Sequence, residues 1–135
     1  MQRLLGAVHH LRVDLDAVEP RLLHGDLWHL KILLDADDED PIIVGVLDRD
    51  NVSWGDPWAD WTIHCVRLRT GTEVDDFWET CGSAPITAAH QRRALLYRAT
   101  HLAGARLDIH RRGLDLSEVP SKHWDLSDVL DALGA

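Results

Sequence analysis

The stretch that decides the fold runs from Leu22 to Ile63, and its first half reads LLHGDLWHLKILL (22–34). The short apolar run Leu30–Leu34 is followed by the acidic insert DADDED and then by a second apolar run in PIIVGVLD (41–48). Two β-rich segments around a charged, turn-like insert predict a β-hairpin. Pro41 suits the start of the second strand, because its missing N–H costs least there.

Two aspartates stand at the ends of this hairpin. Asp26 precedes the first strand and Asp48 follows the second, where a side chain lies at the rim of a sheet. Antiparallel pairing brings both to the same end of the ladder, where two carboxylates can serve as a general base and a metal ligand. Aspartates at strand ends are also common turn and cap formers, so a purely structural role stays open. A metal-dependent hydrolase that uses the same two carboxylates is a further alternative.

After the hairpin the pattern changes from strand to helix. Pro57 suits the first turn of a helix. Apolar residues then recur at three- and four-residue spacing: Trp58, Trp61, Cys65 and Leu68. That stripe predicts a helix with its apolar face in the core, and Trp54 is likewise predicted to pack.

A longer helix is predicted from Thr87 to Arg111, ended by Gly113. Its apolar residues fall near one face: Leu95, Leu96, Ala99, Leu102 and Leu107. Its arginines are assigned to a solvated face, with contact to an anionic partner as the alternative: Arg92, Arg93 and Arg98.

Two shorter helices complete the prediction. Residues 2–18 have loosely helical spacing that stops before Pro20. Their apolar residues are expected on one face: Leu4, Leu5, Val8, Leu11 and Leu15. Ser127 can cap a last helix that ends at Gly134. A hairpin followed by helices predicts the α+β class, with helices dominating.

Composition limits what the chain can do. Its 135 residues are 45% hydrophobic and 27% charged, which fits one soluble globular domain. The formal net charge of −9 argues against a nonspecific nucleic-acid binder, because neutralising phosphates needs a basic face. No apolar run approaches the roughly 20 residues that span a bilayer, and no signal peptide is evident. We therefore expect a cytoplasmic protein without nucleic-acid or membrane partners.

The motifs HGDLWHLKILL (24–34) and VGVLDRDNVSWGDPWADW (44–61) together resemble the aminoglycoside phosphotransferase and choline kinase-like family. The resemblance covers about a third of the chain, with several motifs in the right order and at the right distances. It implies a protein-kinase-like fold, here part of the C-terminal lobe: a β-hairpin with the catalytic loop, followed mostly by α-helices. It also implies an enzyme that transfers the γ-phosphoryl group of ATP, with Mg²⁺, to a hydroxyl of a small molecule.

The resemblance also implies roles for individual residues. Asp26 of the HGD triplet would be the catalytic base, and Asp48 would hold Mg²⁺ as the counterpart of the kinase DFG aspartate. His24 would pack the catalytic loop. Asp60, in a stretch similar to the family's GDPxxD, would hydrogen-bond the backbone of that loop.

Two departures from the family pattern alter these expectations. Lys31 stands where the family has a metal-holding Asn, and an ammonium has no acceptor atom for a metal. Only 23 residues precede His24, without a Gly-rich loop. Residues 1–135 are therefore expected to form a single partial domain, with the N-terminal ATP-binding lobe absent and self-association through the exposed lobe interface. The alternative function is a non-catalytic, pseudokinase-like remnant or binding module.

Other candidate sites are weaker. Cys65 and Cys81 are expected to be reduced thiols, with a single disulfide as the alternative. The insert Asp35–Asp40 is expected to be a solvated hairpin tip, since it lacks the Gly and the closing Glu of a calcium loop. The histidines form no HxxH or HExxH pair, so no zinc site is predicted. His29 is assigned to loop packing, with substrate contact as its alternative.

Overall fold

The computed structural model describes residues 2–35, 40–61, 79–80, 86–115 and 126–134. These residues form a mixed α+β structure with small antiparallel sheets, as the class prediction requires. Predictions for Cys65, Leu68, Cys81 and most of the insert after Asp35 lie outside the described residues.

Within the described ranges, four short strands form two antiparallel pairs: β1 (Arg21–Leu23), β2 (Ile32–Asp35), β3 (Ile42–Val46) and β4 (Ser53–Gly55). Strands β2 and β3 form the predicted hairpin, which pairs Ile32 with Val46 and Asp35 with Ile42 around an irregularity between Leu33 and Leu34. Strands β1 and β4 pair with each other and enclose the hairpin in sequence. Their three-residue length carries no periodicity, and the sequence did not predict them.

The helices lie before and after this strand region. They are the N-terminal helix (Gln2–His10), a short second helix (Arg12–Asp16), the long helix (Ala88–Arg111) and the last helix (Leu126–Ala132). Residues 57–61 are also helical and begin at Pro57, as predicted. Its preceding residue, Asp56, accepts a hydrogen bond from the backbone N–H of Trp58 at 3.0 Å, as an N-cap does.

The long helix begins and ends where the sequence predicts. Thr87 is its N-cap and forms a reciprocal capping box with His90. At the other end Gly113 has φ +68°, and the N–H groups of Gly113 and Leu114 donate to the carbonyls of His110 and Ile109. This Schellman arrangement satisfies carbonyls that the helix would otherwise leave unpaired.

The core lies along two sides of the long helix. One buried cluster joins it to the last helix: Ala99, Leu102, Val129 and Leu130. Another joins it to the two N-terminal helices: Ala7, Leu11 and Leu96. Leu4 and Leu133 contact both clusters, so the described helices share one apolar centre.

The packing prediction for Trp54 is wrong, and two apolar residues assigned to shared helix faces, Leu107 and Leu5, are exposed. Leu107 is 46% exposed, because the buried residues of the long helix stop at Leu102. Trp54 is 73% exposed, since it pairs across the sheet with Leu22 on a face open to solvent. Leu5 is also exposed, so the N-terminal residues do not share one buried face.

The start of the last helix also differs from its prediction. The helix already begins at Leu126, so Ser127 lies inside its first turn. Gly134 follows the helix with φ +69°, in keeping with its predicted terminating role.

No described helix combines the length and the apolar character needed to cross a membrane.

Candidate functional site

The loop between β1 and β2 is fixed by one carboxylate. Asp60, in helical residues 57–61, accepts hydrogen bonds from the backbone N–H of His24 at 2.8 Å and from that of Gly25 at 2.9 Å. Each oxygen of Asp60 receives one of these bonds, so the carboxylate holds two consecutive peptide units. These are the backbone contacts that the sequence predicts for Asp60.

Gly25 allows the backbone to adopt the conformation of this loop. Its φ is +80°, a conformation that L side chains rarely adopt. A Cβ at this position would also overlap the backbone carbonyl oxygen of Asn51. The HGD triplet therefore turns tightly against the segment that leads into β4.

A lysine joins the two predicted site aspartates. Lys31 Nζ lies 2.5 Å from Asp26 Oδ2 and 2.8 Å from Asp48 Oδ2. The lysine side chain is 10% exposed, whereas those of Asp26 and Asp48 are 37% and 47% exposed. The structure thus brings both carboxylates to one end of the hairpin, as predicted, with a buried ammonium as their common partner.

The charges at this site stabilise one another. The hydrogen bonds that Lys31 donates to Asp26 and Asp48 raise the pKa of Lys31 above its ordinary value, against the opposing effect of burial. The hydrogen bond and charge of Lys31 lower the pKa of Asp48. Lys31 and Asp48 therefore form a charged pair at neutral pH.

The backbone holds the two halves of the site together. Lys31 ends a 3₁₀ turn, and its carbonyl oxygen accepts from the Leu47 N–H at 2.8 Å. The carbonyl of Leu47 in turn lies 2.9 Å from His24 Nε2, which donates to it. The next residue, Asp48, has φ +64°. This left-handed conformation is uncommon for residues other than glycine. Backbone strain of this kind is often found at functional sites. His24 therefore links the loop to the Asp48 segment, in agreement with a packing role.

The Mg²⁺ ion that the family resemblance implies does not fit this arrangement. Mg²⁺ takes oxygen ligands at about 2.0–2.1 Å, whereas Lys31 presents an ammonium that has only donors. That ammonium contacts an oxygen of both candidate carboxylates. A cation that bridged Asp26 and Asp48 through these oxygens would have to displace it.

A second buried ion pair connects the site to the long helix. Arg93 Nε donates to Asp56 Oδ2 at 2.6 Å, and the Tyr97 hydroxyl donates to the same oxygen at 2.9 Å. Arg93 and Asp56 are both buried, so the assignment of Arg93 to a solvated face is wrong. Burial, followed by the charge of Asp56 and its hydrogen bond, raises the pKa of Tyr97. Sequence spacing missed this network because Asp56 is 37 residues from Arg93 and 41 residues from Tyr97.

A cavity of about 290 Å³ lies behind the loop. It is bounded by Gly25 and Asp60 on the loop side and by Tyr97 and His101 on the long helix. The loop therefore has open space on the side that faces the long helix. His29 is exposed, and its ring contacts that of the adjacent Trp28 edge to face.

Comparisons with known protein families, curated proteins and solved structures find no match to this chain.

Proposed function

We propose that this chain carries the catalytic-loop portion of a small-molecule phosphotransferase similar to the aminoglycoside phosphotransferases, within a protein-kinase-like C-terminal lobe. One observation carries the proposal: Asp60 holds the His24–Gly25 backbone through two hydrogen bonds while Asp26 and Asp48 meet at the end of the hairpin. Phosphoryl transfer depends mainly on positioning and charge, and a clamped loop with converging carboxylates suits that need.

Asp26 is the proposed base. In the intact enzyme it would accept the proton of a substrate hydroxyl as that oxygen attacks the γ-phosphorus of ATP. Its side chain is 37% exposed, so a small molecule can approach it. The acceptor class is a small-molecule alcohol, and a further segment or chain would supply the nucleotide-binding lobe.

A second candidate is a non-catalytic, pseudokinase-like binding module. The contacts of Lys31 favour it, because the proposed base shares its Oδ2 with a buried ammonium. An oxygen that already accepts a hydrogen bond from a buried ammonium is less accessible to the proton of a substrate hydroxyl. Turnover by the chain with Lys31 in place is accordingly expected to be low.

Phosphoryl transfer in a two-lobe protein tests the proposal. The chain is joined to the nucleotide-binding lobe of an aminoglycoside phosphotransferase and supplied with ATP labelled on the γ-phosphate and a panel of alcohol acceptors. Lys31→Asn should produce labelled product, and adding Asp26→Asn should abolish it. A folded Lys31→Asn fusion without turnover would favour the binding module, and turnover unchanged by Asp26→Asn would contradict the role of the base.

A further inference from the structure

We propose that the Lys31 ammonium occupies the place of a metal cation between Asp26 and Asp48. It thereby prevents divalent metal ions from binding to these two carboxylates. The inference rests on contacts within the chain and holds whether or not the protein transfers phosphate. Lys31 Nζ reaches one carboxylate at 2.5 Å and the other at 2.8 Å, and its side chain is 10% exposed.

The lysine is held in place by its backbone. Its N–H donates to the Trp28 carbonyl at 2.8 Å, and its carbonyl accepts from the Leu47 N–H at the same distance. The side chain therefore starts between the loop and the second hairpin strand. Its ammonium is buried where it contacts the two carboxylates, whereas the carboxylate side chains are 37% and 47% exposed.

Charge explains why Lys31 disfavours the binding of divalent metal ions to these carboxylates. Two carboxylates carry two negative charges, and one ammonium leaves a single negative charge. A divalent cation would be repelled by the positive charge of the ammonium, and it would compete with the ammonium for the same carboxylate oxygens. With a neutral amide at position 31, two adjacent carboxylates and an amide oxygen would remain, a set of hard oxygen ligands that divalent cations favour.

Titration of the purified chain with Mn²⁺, followed by electron paramagnetic resonance of the free ion, tests this inference. The wild-type chain should show no saturable site that Asp48→Asn removes. Lys31→Asn should gain one saturable Mn²⁺ site, roughly tenfold or more tighter than any residual Mn²⁺ binding by the wild-type chain, because a like charge at ligand distance is removed. The double variant Lys31→Asn/Asp48→Asn should lose that site.

Two results would overturn the inference: an Asp48-dependent Mn²⁺ site in the wild-type chain, or a folded Lys31→Asn chain that gains none. Circular dichroism checks folding of each variant. Lys31→Met, which keeps the apolar stem without the charge, replaces Lys31→Asn if the latter fails to fold. The comparison of Mn²⁺ binding between the wild-type chain and Asp48→Asn does not depend on whether either Lys31 variant folds. A Mn²⁺ site gained by Lys31→Asn, together with a folded two-lobe Lys31→Asn fusion that shows no phosphoryl transfer, would support this inference and count against the proposed function.

Discussion

Gly25 is required by two independent features of its position. Its backbone has φ +80°, and a Cβ would overlap the Asn51 carbonyl oxygen. We therefore expect Gly25→Ala to lower the free energy of unfolding by more than about 1 kcal/mol, because both the turn and the contact must shift. Urea unfolding of the purified chain measures the change.

Gly104 supplies the matched control. It lies inside the long helix, has no positive φ, and a Cβ there would meet no atom within 4 Å. Gly104→Ala should raise the free energy of unfolding by roughly 0.5–1 kcal/mol, the usual gain in a helix interior. Equal effects of the two substitutions would contradict the described conformation of the loop.

At the residue scale the sequence predicted where the site lies. Asp26 and Asp48 lie at one end of the hairpin, and Asp60 makes the backbone contacts that the family resemblance implies. The roles of Asp26 as a base and Asp48 as a metal ligand stay predictions. Lys31 was recognised as a departure, but its bridge between two carboxylates was not foreseen. Residue type shows that an ammonium cannot bind a metal, whereas the direction of a long side chain depends on the packed structure around it.

The long helix depends on the buried pair between Arg93 and Asp56. Arg93→Met would leave the Asp56 carboxylate buried without its cation, and breaking one side of a buried pair typically costs about 3–5 kcal/mol. Urea unfolding should show this loss. The neighbouring Arg92 pairs with Asp14 through a side chain that is 47% exposed, so Arg92→Met should change stability little.

A comparable small effect of both substitutions would mean that Arg93 is not held by Asp56 in solution.

The sequence does not show which of the adjacent arginines is buried. Adjacent residues of a helix point in directions that differ by about 100°, and the position of Asp56 is set by the distant strand region. The ends of the same helix were predictable, since Thr87 and Gly113 act locally.

Tyr97 predicts a pH dependence at the alkaline end. Its pKa is raised by burial and by the negative charge of Asp56, so the folded chain holds the phenolic proton more tightly than the unfolded chain does. The stability that this provides is complete below the ordinary pKa of about 10 and is lost as the pH rises from there toward the folded pKa. Phenolate absorbance reports this directly, because Tyr97 is the chain's single tyrosine.

The folded chain should show no phenolate until the pH is well above 10, while the urea-unfolded chain should titrate near its ordinary value. Circular dichroism at each pH shows whether the chain is still folded. A folded chain with ordinary phenolate titration would contradict the burial of Tyr97 against Asp56.

For the whole molecule, the β2–β3 hairpin is an exposed apolar surface. Its exposed side chains lie 45–64% open to solvent: Leu33, Leu34, Ile42, Ile43, Val44 and Val46. Two apolar strands without a covering layer among the described residues favour association between chains. Sedimentation equilibrium should show concentration-dependent self-association of the wild-type chain.

Ile43→Lys should weaken this association, because it places a charge in the middle of the apolar strand. Val13→Lys is the control, since Val13 is 82% exposed on the short second helix, outside the hairpin. A wild-type chain that stays monomeric at every concentration, or equal effects of the two substitutions, would contradict association through the hairpin.

At this scale the sequence predicted the α+β class and the order of hairpin and helices. It did not predict that the three-residue strands β1 and β4 pair around the hairpin, or that Leu107 and Trp54 stay exposed. Local patterns record which residues can form a strand or an apolar face. Which of those faces is covered depends on contacts between segments that are distant in sequence.

The most direct test of the central claim is calorimetric titration, with Mg-ATP, of the chain joined to the nucleotide-binding lobe of an aminoglycoside phosphotransferase. The claim is that Asp26 and Asp48 form a phosphotransferase-type site and that the Lys31 ammonium prevents a metal ion from binding there. We expect Lys31→Asn to strengthen Mg-ATP binding relative to the wild-type fusion, and Lys31→Asn/Asp48→Asn to lose that gain. Mg-ATP binding by the wild-type fusion that Asp48→Asn weakens would contradict the role of Lys31. A folded Lys31→Asn fusion that binds Mg-ATP no more tightly than the wild-type fusion would contradict the phosphotransferase site.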